Sequence, residues 1–323
     1  MRNRSLQIAV LLWLLVSVSA VVLTHGGIPL NIPALNRMNP IFAVAFSSIA
    51  IAVLLAEMGI VLFLTRNRPF PQLDLRAPDR AIAKKEMWSL WIYIALIMLT
   101  GRYLGLHVFG EGIAMHLNGS VVGATRVQSP LEVWTWAAYN GVLLALIPYL
   151  AFRRRGYSHQ ALNLKSADLK NDSLVIVVVL LISCLLDLAG PNIFQLSPHQ
   201  QIAGGLLSFF LHMAGTDLPI MIVIYGILLP RYVKLTSPVT GYLLGAASYP
   251  IMHLFESWTR YGTVADSAIS VLFVFLTFFP PGLMKSFLTI RTGNAWVHLW
   301  AFHAVSPHVT VDTRLIVRDF HMR

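Results

Sequence analysis

The stretch Ile41-Phe-Ala-Val-Ala-Phe-Ser-Ser-Ile-Ala-Ile-Ala-Val-Leu-Leu-Ala-Glu-Met-Gly-Ile-Val-Leu-Phe-Leu64 decides the fold. It is a continuous apolar run, not an alternating one. About 20 such residues cross the hydrocarbon core of a bilayer as a helix. Lipid supplies no water to unpaired backbone groups, so spanning segments are helices or closed barrels. Barrel strands alternate, and these runs do not. Further spans are predicted at about Leu6–Thr24, Met87–Leu104, Val133–Phe152, Leu174–Ala189, Val239–Trp258 and Ala268–Leu288, the last with Pro280-Pro281 as a kink or division. The region Gln201–Leu235 is predicted as two helices or one broken helix, because Gly215, Asp217 and Pro219 interrupt it. A last apolar segment, about Ala295–Val309, carries three histidines and Pro307. The pattern predicts an all-α, polytopic transmembrane helical bundle of about eight to nine spans.

Composition agrees. The chain of 323 residues is 56% hydrophobic and 12% charged, about half the charge of a soluble domain. Its net charge of +10 sits in short loops between spans, so the expected counter-charge is membrane lipid rather than nucleic acid. The basic loop from Arg66 to Lys85 and the run Arg153-Arg-Arg155 mark the cytoplasmic side. The expected location is a bacterial cytoplasmic membrane with the N-terminus inside. The first span, preceded by Arg2 and Arg4, reads as an uncleaved anchor because its apolar run outlasts a signal-peptide core. An odd span count would put the tail with Arg314, Arg318 and Arg323 outside; a re-entrant last segment or one misread span would restore it. Asn118-Gly-Ser120 is a sequon in the long exterior loop, relevant only in a cell that glycosylates. Cys184, the single cysteine, reads as a small buried hydrophobe.

Ionisable groups at membrane depth are costly, so each is a candidate site. His253 and Glu256 are three apart and are expected to share a helix face, where they could ligate one metal or where Glu256 could orient the imidazole. The competing reading leaves Glu256 at the outer interface beside Trp258. His303 lies deep in the last segment and is a second candidate ligand. His298 and His308 read as hydrogen-bonded structural histidines, with His308 near an interface. Asp217 is either a catalytic acid or the N-cap of a helix continuing to Leu229. Asp187 reads as interfacial. No Gly-x-Ser-x-Gly, His-Glu-x-x-His or phosphate-loop motif is present.

The stretch from about Leu174 to His308 resembles the CPBP (CAAX protease and bacteriocin-processing) intramembrane protease family. That family carries Glu-Glu-x-x-x-Arg, Phe-x-x-x-His and His-x-x-x-Asn motifs. Tyr249-Pro-Ile-Met-His253 is similar to the second motif, and Arg291-Thr-Gly-Asn-Ala-Trp296 resembles the run before the third motif's histidine, here His303. Gly226-Ile-Leu-Leu-Pro-Arg231 resembles the tail of the first motif, which places Ile220, Met221 and Tyr225 where two glutamates and an arginine belong. Pro307 replaces the final asparagine. The expected organisation is therefore N-terminal transmembrane helices with basic cytoplasmic loops at 1–173, outside the resemblance, a CPBP-like transmembrane core at 174–310 and a polar tail at 311–323. The resemblance also implies a degenerate active site.

Three readings follow. In the first, an intramembrane metal-dependent endopeptidase cleaves membrane-embedded peptides through His253, His303, Asp217 and Glu256, with His253 and His303 holding a divalent metal such as zinc. It requires those histidines and one acid to converge within about 5 Å. In the second, a catalytically inactive relative binds or scaffolds another membrane protein or a lipid. The third is a small-solute transporter, which the helix break near Pro219 suits and the absence of an evident repeat does not.

Overall fold

The computed structural model describes residues 4–25, 27–30, 39–119 and 126–323. Arg2, and Ser120 of the sequon, lie outside the described residues. Every regular element among the described residues is helical. Among the described residues, seven helical stretches are long and apolar enough to cross a membrane: α1 (Arg4–Leu23), α2 (Pro40–Leu64), α3 (Arg80–Phe109), α4 (Pro130–Arg154), α5 (Leu169–Asp187), α6 (Gln200–Leu235) and α8 (Val264–Thr292). Large apolar side chains such as Leu11, Leu15 and Val22 stand more than 60% exposed on α1, as expected of a surface that meets lipid rather than water. Between α6 and α8 lies α7 (Pro238–Met252), 15 residues long. After Asn294 come α9 (Ala295–His298, continued by a π turn at Leu299–His303), α10 (a π turn at Ser306–Val311) and α11 (Thr313–Asp319). The seventh and last of the predicted spans are these shorter pieces, each below the ~20 residues of a straight crossing.

Helix starts follow local rules. Ser129 caps α4 in a capping box with Glu132, and Pro130 occupies the first turn. Asp168 caps α5, Ser237 caps α7 and Asn294 caps α9, each accepting a backbone N–H from the first turn. Glycines at φ 75° (Gly110) and 67° (Gly293) end α3 and α8 in the left-handed region that side chains resist.

Two sequence expectations are corrected here. The helix α6 is one uninterrupted stretch, not two helices or a broken one. Its π turns at Gln200–Gly204, Met213–Asp217 and Met221–Leu228 absorb Gly215 and Pro219 without unwinding the chain. Asp217 therefore does not act as a side-chain N-cap. The other is the division of α8: of the kink or division expected at Pro280 and Pro281, the division does not occur, and the helix runs through both.

The chain forms two compact units. The first comprises 1–59, 72–114 and 228–287; the second comprises 60–71, 115–227 and 288–323. In the first, the buried Arg231 guanidinium donates to Glu86 Oε2 from Nε at 3.0 Å and Nη2 at 2.6 Å. Gly241 and Gly245, four apart on α7, admit close neighbours. A Cβ on Gly241 would meet Val233, and one on Gly245 would meet Ser286 and Leu229. Small residues at that spacing let helices approach where no hydrophobic effect drives them together.

In the second unit, a knot of polar groups ties helix ends. Arg68 pairs with Asp172 at 2.5 Å and donates to the carbonyl of Thr292. Asp172 also accepts from Ser166 Oγ at 2.7 Å and Asn294 Nδ2 at 2.9 Å. Arg291 donates from Nε to Thr65 Oγ1 at 2.7 Å. The ends of α2 and α8 and the starts of α5 and α9 are thereby held together. This fixes the entry of α9, which carries His303.

Candidate metal centre

The second unit gathers His116, His212, Asp217, His303, His308 and Asp312, every one of them buried. His116 comes from the loop after α3, His212 and Asp217 from α6, His303 from the π turn that ends α9, and His308 from α10. Asp312 directly follows that turn. Six ionisable side chains buried together in an apolar helical unit are expensive unless they pair or hold an ion.

Position is set by the junction of α4 with α6. Gly215 lies against Trp136 so closely that a Cβ would come within 2.3 Å of the indole. One turn along α4, Asn140 Nδ2 donates to the carbonyl of Gly215 at 2.9 Å. That carbonyl sits in the π turn Met213–Asp217, where helical pairing is shifted and a side chain can take up a backbone acceptor. The Trp136 indole also meets the His212 ring edge-on at 5.4 Å. The same junction therefore fixes both His212 and Asp217.

The polar geometry is tight. Asp217 Oδ1 lies 3.3 Å from His303 Nδ1 and 3.5 Å from His308 Nε2. Four residues along the chain, Asp312 Oδ2 stands 2.7 Å from His308 Nδ1. It also lies 3.5 Å from His212 Nε2. The rings of His212 and His308 stack at 4.4 Å and 12°. His212 Nδ1 donates to the carbonyl of Ser208 at 2.9 Å, and Ser208 Oγ donates to the carbonyl of His308 at 2.5 Å.

Donor atoms of His116, His303 and His308 lie within 4.8 Å of one another, and so do those of His212, His308 and Asp312. Nitrogens bound tetrahedrally to zinc sit about 3.3 Å apart, given Zn–N near 2.0–2.1 Å. No donor pair in either triad is more than about 1.5 Å beyond that spacing, within reach of small side-chain rotations. The donor set fits: imidazole and carboxylate suit zinc and its neighbours. Asp312 behind His308 is the carboxylate–histidine arrangement that orients a metal-ligating ring.

Of the residues singled out from sequence, Asp217 and His303 meet in this cluster. His253 and Glu256 belong to the first unit. They do not share a helix face, because α7 ends at Met252 and His253 is its C-cap. Nor is Glu256 a solvated helix end; it is buried. His253 Nδ1 donates to the carbonyl of Tyr249 at 2.6 Å, and its ring stacks on Phe278 at 4.0 Å. His298 is structural, as expected: it bonds Thr289 Oγ1 at 3.1 Å and packs on Tyr225 at 4.3 Å. Asp187, expected at an interface, accepts from Ser306 Oγ. His308, expected near an interface, is buried at the centre of the cluster. Sequence reading missed His116 and His212 altogether. The spacing His308-x-x-x-Asp312, one helical turn, was the available signal for the pairing of His308.

The second unit also holds a cavity of about 430 Å³ lined mainly by apolar groups, including Leu146, Leu218, Met221, Ile222 and Trp296. Leu218 is the residue after Asp217. The polar end carries Tyr149, whose hydroxyl meets His159 Nε2 at 2.9 Å.

No family model, curated protein or solved structure matches this chain.

Proposed function

We propose that this chain is an integral membrane, metal-dependent hydrolase that cleaves membrane-embedded peptides, with its ion held by His116, His303 and His308. The carrying observation is the mutual approach of those three donors beside the Asp217 carboxylate, in an apolar unit. Three protein ligands with a fourth position for water is the usual composition of a catalytic zinc site. Bound there, zinc would supply a water acidified to a pKa near 7.

The chain's own residues take the other roles. Asp217 Oδ1, 3.3 Å from His303 Nδ1 and 3.5 Å from His308 Nε2, would accept the proton of a water held beside those nitrogens. Asp312 holds His308 in the tautomer that presents Nε2. The apolar cavity next to Leu218 suits a segment arriving from the bilayer and limits bulk water. This differs from the sequence-based site in its ligands: His116 and His308 join His303, and Asp217 supplies the acid. The CPBP resemblance supports a protease reading through Arg291–Trp296 and His303. The inactive-scaffold reading rested on missing glutamates, and Asp217 with Asp312 provides two carboxylates instead. On this reading α7 and the segment after Asn294 enter the bilayer and bring the crossings to eight or nine. The basic loops support a bacterial cytoplasmic membrane with the N-terminus inside.

The test is cleavage of a fluorogenic transmembrane peptide by the full chain in liposomes. Expected are turnover with zinc, loss with chelator and loss in His303→Ala. Turnover unaffected by chelator and by that substitution overturns the reading.

A further inference from the structure

We infer that the cluster holds two divalent cations, the second between His212 Nε2, Asp312 and His308 Nδ1. This rests on the reading of the first site above. The argument starts from proton positions. The Nδ1 of His212 is 2.9 Å from the carbonyl of Ser208, an atom that can only accept, so Nδ1 carries the ring hydrogen. The Ser208 hydroxyl has its own hydrogen committed to the carbonyl of His308 and offers His212 only lone pairs, at 3.2 Å.

In neutral His212 the lone pair is therefore on Nε2. That atom is fully buried and makes no hydrogen bond. It faces Asp312 Oδ2 across 3.5 Å. Two acceptors opposed in a dry interior repel, and a metal ion shared between them would relieve the repulsion. His308, whose Nδ1 is 2.7 Å from the same oxygen, completes a set of three residues with donor atoms within 4.8 Å of one another. The near-parallel stacking of His212 and His308 aims both ring edges at Asp312.

His308 then serves both ions, with Nε2 toward the first and Nδ1 toward the second. There the second ion would take the place of the Nδ1 hydrogen that His308 otherwise gives to Asp312. The ligand class is a divalent transition cation accepted by imidazole and carboxylate, zinc or cobalt.

The experiment is cobalt titration of the full chain in detergent, followed by visible absorption, with bound metal counted by mass spectrometry. Two ions per wild-type chain, filling in two phases, and one in His212→Ala are expected. One ion in both proteins overturns the second site while leaving the first intact. No ion in either removes both. Because His212→Ala also loses contact with Trp136, His212→Gln, which keeps a side chain there, serves as a second variant. The two-phase wild-type titration requires neither.

Discussion

Asp312 Oδ2 accepts from His308 Nδ1 at 2.7 Å, one helical turn away along α10, with both side chains buried. A carboxylate in that position fixes the ring, its tautomer and its basicity. Replacing Asp312 by Asn keeps the shape but removes the charge. Zinc affinity should fall by about 10- to 100-fold. Competition with a chromogenic chelator measures it, and unchanged affinity would show that Asp312 does not orient a metal-bound His308.

Asp217 has a different role, and its removal should separate binding from chemistry. Asp217→Asn is expected to retain zinc at His116, His303 and His308 while turnover drops by about 10²- to 10⁴-fold, the range for loss of a general base. Turnover in liposomes and metal content of the same preparation are read together. Loss of metal with activity would make Asp217 a ligand instead.

The junction that places Asp217 can be tested sterically. A methyl at Gly215 would collide with the Trp136 indole. Overpacking of this kind costs about 1–3 kcal/mol. Gly215→Ala should lower the thermal midpoint in detergent, and adding Trp136→Leu should restore part of the loss, since the two residues share one contact. Additive losses would separate them.

Much of this architecture was legible in the chain. Continuous apolar runs located the seven long helices found among the described residues, with α6 read as two helices or a broken one, because in lipid a helix satisfies its own backbone. Asp217 and His303 stood out because charge at membrane depth is costly. What escaped has physical reasons. A π turn leaves no mark on periodicity, so Gly215 and Pro219 read as a break in α6. His116 sits in an irregular loop where no period applies. For His253 and Glu256 a helical spacing was assumed, but the helix stops one residue short, at Met252. His308 follows Pro307 and read as the edge of a segment, although its spacing to Asp312 carried the pairing.

The polar knot at the start of α9 gives a stability prediction. Removing Asp172 leaves the Arg68 guanidinium, Ser166 and Asn294 facing a void. Breaking a buried pair from one side costs about 3–5 kcal/mol. Asp172→Ala should therefore unfold at markedly lower temperature, and because α9 carries His303, it should also bind zinc more weakly. A variant with wild-type midpoint would show the knot to be dispensable.

The most direct test is the zinc content of the purified, detergent-solubilised chain, compared with a His303→Ala/His308→Ala double variant of verified helicity. One or more zinc ions per wild-type chain, absent from the variant, is the expected result. No zinc in the wild type after incubation with excess metal, or equal zinc in both proteins, would contradict a metal centre at His116, His303 and His308.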